Sequence, residues 1–161
     1  MRKINFFKIP FVLILIVFFT LILQSCITPI KKLDEKKEAF NGKVVRIKCK
    51  VTKIYYFKDN RYYIYEIDNK GDKAYLLATK KLNRLEELDF NGRILYVPFK
   101  FGSDFEKDLK KQIDEYLFKM TTINEKTIFL HSIRIIEMIK KIAEENKGIV
   151  LIFAYNFNWE K

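Results

Sequence analysis

Apolar and polar residues alternate strictly from residue 45. Val45, Ile47, Cys49 and Val51 interleave with Arg46, Lys48, Lys50 and Thr52. A period of two places one set on a core face and the other outside, so this segment reads as a strand. Ile54, Tyr55, Tyr56 and Phe57 break the phase, which predicts a bulge or sharp bend within a long strand. Lys58-Asp59-Asn60 reads as a turn, Arg61 to Asp68 as a Tyr-rich second strand, and Asp68 to Asp72 as a turn around Gly71. Ala74 to Thr79 follows as a short third strand. Leu82, Leu85 and Leu88 stand at helical spacing for two turns. Arg93 to Phe101 is expected as a fourth strand, held to an edge or bulge by Pro98.

Phe105, Leu109, Ile113 and Leu117 recur every four residues, so Asp104 to Lys119 reads as an amphipathic helix. Ser103 with Glu106 makes a capping-box pattern at its start. Thr127 to Ile136 is expected as a fifth strand, Glu137 to Asn146 as a helix ended by Gly148, and Ile149 to Phe157 as a final strand. On that last strand Phe153, Tyr155, Phe157 and Trp159 alternate as a core-facing row, or as a partner interface if exposed. Phe40-Asn41-Gly42-Lys43-Val44-Val45 is echoed by Phe90-Asn91-Gly92-Arg93-Ile94-Leu95, and each copy reads as a turn leading into a strand.

The N-terminus follows a different pattern. Arg2, Lys3 and Lys8 precede a run from Phe11 to Leu23 in which only Thr20 is polar. A membrane span needs about 20 apolar residues. This run falls short, and Pro10 and Lys8 block its extension, so a signal segment is favoured over an uncleaved membrane helix. Leu23-Gln24-Ser25-Cys26 resembles the lipobox of bacterial lipoprotein precursors, a likeness confined to residues 1–26. The resemblance implies cleavage after Ser25, a diacylglycerol on the Cys26 thiol with further acylation such as palmitate, and export to a bacterial membrane. The protein would then sit at the periplasmic face, the outer membrane or the cell surface, with the membrane as its first partner. Residues 26–39 read as a partly helical tether rich in Lys and Glu, with Lys31, Lys32, Lys36 and Lys37 near the lipid. Residues 40–161 read as a single domain.

The chain is 49% apolar, enough to bury a core and too much for a disordered chain. Its net charge is +11; loss of residues 1–25 removes three basic and no acidic groups, leaving +8. Part of that excess matches the Lys-, Ile- and Asn-rich composition of an AT-rich coding sequence, so charge alone does not identify a partner. Cys49 is expected as a buried, inert thiol.

Three strands, a short helix, a fourth strand and a later fifth strand give the order of a Greek-key β-barrel. The fold class is therefore mainly β with two or three helices; an antiparallel α+β sheet is the alternative. The pattern resembles the OB-fold over residues 40–136, with a helical insertion at 103–120 and an additional helix and strand at 137–158. The resemblance implies a ligand face on the first three strands. Arg46, Lys48 and Lys50 would lie on it beside Tyr62, Ile64 and Glu66, or beside Tyr63 and Tyr65. Such a face suits an acidic polysaccharide, a lipid headgroup or an acidic protein segment. Single-stranded nucleic acid is a weaker fit for an exported protein. A merely solvated strand face is the plain alternative.

Catalysis has little footing. The single histidine, His131, excludes a two- or three-His metal site, and no nucleophile-elbow motif frames Ser103 or Ser132. Exported OB-fold nucleases gather acids around calcium, and Asp59, Glu66, Asp68 and Asp72 cluster near the second strand. An exported nuclease or other hydrolase is thus the alternative to a binding or scaffolding role. No catalytic residue, metal or cofactor is assigned from the sequence.

Overall fold

The computed structural model describes residues 27–55, 62–122 and 124–157. The expected signal segment with Ser25 and Cys26, the Lys58-Asp59-Asn60 turn and Trp159 lie outside the described residues. Five strands form: β1 (Val44–Tyr55), β2 (Tyr63–Asn69), β3 (Asp72–Ala78), β4 (Glu87–Val97) and β5 (Ile149–Phe157). Among the described residues four helices accompany them: α1 (Ile30–Glu35), α2 (Lys37–Phe40), α3 (Ser103–Met120) and α4 (Glu125–Glu145). The strands close into a barrel in the order β1-β2-β3-β5-β4. β3 and β5 run parallel and every other pair is antiparallel. This is a mainly β, OB-like barrel; closure excludes the open α+β sheet.

β1 is long because it serves two partners. Its first half pairs with β4 and its second half with β2, and the register slips between Val51 and Lys53 where the phase break falls. The extra residue bends the strand so that it can turn from one neighbour to the other. β2 and β3 join through Lys70-Gly71, both left-handed at φ 60° and 95°, the conformation of a tight two-residue hairpin. The Gly71 N–H donates to Asp68 Oδ1 at 3.1 Å and secures that turn.

The barrel interior holds Ile47, Cys49, Val51, Tyr63, Tyr65, Ile67, Leu76, Phe90, Ile94 and Ile152. Ile30 and Leu33 of α1 join it with no exposed surface. The segment expected as a tether is therefore packed onto the barrel from its first described residues. Ile27 bridges to Arg46, and the Thr28 N–H donates to the Arg46 carbonyl at 2.8 Å. The abundant Lys and Glu had masked one short apolar face, formed by residues three apart.

A second apolar layer lies outside the barrel. α3 and α4 pack Leu109, Ile113, Tyr116, Leu117, Ile135 and Ile139 against Ile64, Tyr75, Leu77, Leu151 and Phe153 of β2, β3 and β5. Over much of their length these three strands are covered on both faces and so carry apolar runs with little alternation.

That double layer explains the main departures from the sequence reading. Thr127 to Ile136 is helical and belongs to α4. Its β-branched residues suggested a strand, but Ile128, Ile135, Ile139 and Ile142 recur at helical spacing and bury one face. Ile149–Phe157 is the fifth barrel strand, inserted between β3 and β4, and not a sixth strand beside the barrel. Phe153 and Tyr155 face the helices, while Phe157 packs with the barrel interior. Leu82, Leu85 and Leu88 form no helix: Leu82 is buried in the β3–β4 connection, Leu85 is 69% exposed at φ 67°, and Leu88 already lies on β4.

The two echoed segments also part company. Phe40-Asn41-Gly42 is a turn with Gly42 at φ 76°, whereas Phe90-Asn91-Gly92 lies inside β4. The copies pair with each other, Val45 opposite Gly92. At Gly92 the β4–β5 register slips, and a Cβ there would stand 2.4 Å from Ile152 Cγ2. The capping box does not form, because Gly102 holds the cap position of α3 and Glu106 pairs instead with Lys140 of α4 at 2.6 Å.

Candidate functional site

The outer face of β1 carries Arg46, Lys48 and Lys50, as their alternation requires. β4 runs antiparallel beside them and sets Asn91, Asp89 and Glu87 opposite in register. Arg46 grips Asp89 with two bonds, Nε to Oδ1 at 2.8 Å and Nη2 to Oδ2 at 2.7 Å. Lys48 Nζ stands 3.4 Å from the same Oδ2, and Lys50 Nζ 3.0 Å from Glu87 Oε1. The Asp89 side chain is only 8% exposed, while those of Lys48 and Lys50 are 42% and 58% exposed. A planar guanidinium on a carboxylate fixes geometry as well as charge. Asp89 thus neutralises part of the row from below, while Lys48, Lys50 and the 77% exposed Glu87 lie open to solvent.

The aromatic partners expected beside this row are not there. Tyr62, Tyr63 and Tyr65 are all buried. The Tyr65 hydroxyl donates to the Lys80 carbonyl at 2.8 Å and accepts from the Leu82 N–H at 2.9 Å, fastening the β3–β4 connection. Tyr62 points the other way and meets His131 Nδ1 at 2.9 Å, with the rings edge-on. Strand alternation distinguishes an inner from an outer face, but it does not reveal that a helical hairpin covers the outer one. That cover takes in Tyr62, Ile64, Tyr75 and Leu77, so the usual OB ligand face on β2 and β3 is largely occupied by the protein itself.

The uncovered part of the face lies at the β1 bulge. A groove of about 540 Å³ is lined by Thr52, Lys53, Ile54, Glu66 and Arg84. Thr52 Oγ1 donates to Glu66 Oε1 at 2.9 Å, and Lys73 Nζ reaches the same oxygen at 3.1 Å. Glu66 is therefore a held carboxylate on the groove floor, 12% exposed. Lys53, its Nζ 4.6 Å from the Tyr55 ring centroid, and Arg84 offer cations to incoming groups. A hydrogen bond to Tyr55 raises the Lys53 pKa, so this ammonium stays charged at every ordinary pH. Alternate residues on a strand stand about 6–7 Å apart. From Arg46 through Lys53 to Arg84 cations recur along this face, with Asp89, Glu87 and Glu66 set among them.

The remaining candidates have structural settings. Asp68 and Asp72 belong to the β2–β3 hairpin, and Asp59 lies outside the described residues. Among the described residues no group of three or more His, Cys, Asp or Glu is placed to hold a metal. Ser132 donates to the Phe129 carbonyl at 3.0 Å within α4. Burial, with help from Asp68 and Asp89, pushes the Cys49 thiol up to about 12, which keeps it protonated and unreactive. The Tyr116 hydroxyl, also raised by burial, is shared between the carbonyls of Leu77 (3.1 Å) and Ala154 (2.9 Å), at the end of the parallel β3–β5 ladder.

Sequence reasoning missed Asp89, Lys53 and Arg84. Glu87-Leu88-Asp89 carries an alternation signal, hidden when Leu88 is counted as a helical position. A second groove of about 430 Å³ lies between the helices, lined by Asp114, Glu115, Phe118, Ile128 and Phe129. Among the described residues no helix is long and apolar enough to cross a membrane. The chain matches no protein-family model, no curated protein and no solved structure.

Proposed function

We propose that this protein is a lipid-anchored module of a bacterial cell envelope, held by Cys26, that binds an anionic envelope polymer or acidic protein segment along β1. One observation supports the binding role most directly. Asp89 fixes Arg46 and lies beside Lys48, Lys50 pairs with Glu87 at the surface, and this row of cations leads to an open groove lined by Lys53 and Arg84. The charge order and the bulge suit an extended chain with repeated carboxylate, phosphate or sulfate groups. The anchoring role is supported by the basic head, the short apolar run and Leu23-Gln24-Ser25-Cys26.

Two measurements test the reading. Intact mass of protein from its host's membranes should equal residues 26–161 plus acyl chains, and Cys26→Ser should abolish processing and modification. An unprocessed, unmodified chain would remove the anchor. Retention on an immobilised sulfated polysaccharide should fall with rising salt. The combined Lys48→Ser, Lys50→Ser and Lys53→Ser variant should elute at clearly lower salt with an unchanged circular dichroism spectrum. Equal retention of variant and parent would sink the β1 site. Arg46 is spared in this test, because its loss would leave Asp89 short of a partner.

A further inference from the structure

The strand register gathers four chain reversals at one end of the barrel. β1, β3 and β5 begin there, and β2 and β4 end there: Asn69 pairs with Asp72, Val44 with Arg93, Tyr75 with Leu151, and Val97 with Ile149. Each reversal carries one exposed lysine: Lys43 before β1, Lys70 between β2 and β3, Lys100 after β4 and Lys147 before β5. Acids stand near these turns as well: Asp68 and Asp72 flank Lys70, Asp104 follows Lys100, and Glu144 and Glu145 precede Lys147. Two large apolar side chains are exposed at the same end, Val44 at 60% and Phe99 at 43%. The Lys100 ammonium sits 5.3 Å from the centre of the Phe99 ring.

The start of the described chain bears on this end. Ile27 bridges to Arg46, the third residue of β1, which lies about 7 Å from the strand's start. Thr28 is hydrogen-bonded to the same residue, and α1 is buried directly after it. A lipid on Cys26 would therefore be separated from the folded barrel by no slack chain. A barrel held that close cannot hang free of the bilayer; some face must rest on it.

We propose that the barrel end bearing Lys43, Lys70, Lys100 and Lys147 lies flat on an anionic phospholipid surface, with Val44 and Phe99 dipping into the headgroup layer. This rests on the anchoring reading above. Lysines near an anionic leaflet each add attraction that falls off within a Debye length, and an aromatic ring suits the interfacial depth. The seating directs the β1 row sideways along the membrane plane, where an envelope polymer would meet it.

The test uses the protein as purified from host membranes, reconstituted into vesicles of phosphatidylcholine with or without phosphatidylglycerol. Brief acetylation of lysines is read by peptide mass spectrometry, with Lys81 and Lys119, away from that end, as internal references. Intact mass of the same sample reports the acyl chains. In phosphatidylglycerol vesicles Lys43, Lys70, Lys100 and Lys147 should label several-fold more slowly than the references, and high salt or pure phosphatidylcholine should erase much of the difference. Acylated protein whose four lysines label as fast as the references overturns the seating and leaves the anchor standing. A sample without acyl mass overturns both.

Discussion

Gly92 shows how much one missing side chain can hold together. It lies mid-strand, opposite Val45, where β4 slips register against β5. An added methyl would meet Ile152 Cγ2 at 2.4 Å and the Phe153 carbonyl at 3.1 Å, with Phe90 at 3.2 Å behind it. None of these can retreat without opening the interior. Gly92→Ala should cost about 1–3 kcal/mol in a urea titration, the range of overpacked cores. Gly42→Ala should act through its φ of 76° alone, since nothing lies within 4 Å of the added carbon. At this scale the sequence is only half legible. Two identical Phe-Asn-Gly triplets invite one interpretation, yet one is a turn and the other a strand interior, because only the second is flanked by β5. Tyr62, Tyr63 and Tyr65 teach the same lesson, since their burial depends on segments far away in the chain.

Among the elements, the face each presents is legible in the sequence where one side is wet. β1 alternates because one side meets solvent, and its bulge falls where the alternation fails. α3 shows its period because Lys, Asp and Glu fill the outer side. α4 is misread in its first half, and β5, though legible as a strand over Ile149–Phe157, gives no sign of its place between β3 and β4. α4 begins with Asn124 accepting the Thr127 N–H, a start signal that stands four residues before the first buried isoleucine, Ile128. The α3–α4 hairpin is integral to the molecule, since it covers a sheet face that would otherwise be exposed. Ile139 has no exposed surface and sits at the centre of that contact. Ile139→Ala should lower stability by about 2–5 kcal/mol, read by chemical denaturation, as large-to-small core changes do. A loss below about 0.5 kcal/mol would mean that the hairpin is loosely seated.

The molecule as a whole has three layers: α1 and the barrel interior, the closed sheet, and the helical hairpin outside. Its covered face and its open face divide the sheet between them. β2, β3 and β5 give most of their outer face to the protein's own core, which leaves β1 and its border with β4 as the open part of the sheet. A truncation ending at Lys147 removes β5 from between β3 and β4. The chain should then lose two ladders together and bind a hydrophobic dye such as ANS, with no residual cooperative melting transition. A sharp transition in that fragment would show that four strands suffice.

The placement of β5 also has a consequence in time. Until residues 149–157 arrive, β3 and β4 each present an unpaired edge, and the apolar outer face of β3 has no complete hairpin to cover it. The strand that closes the ring is the last of the five in chain order. The N-terminal part of the chain emerges well before the ring is able to shut. The topology thus delays folding until the end of the chain is present, and the partly made protein depends on its surroundings to shield two open sheet edges from other chains.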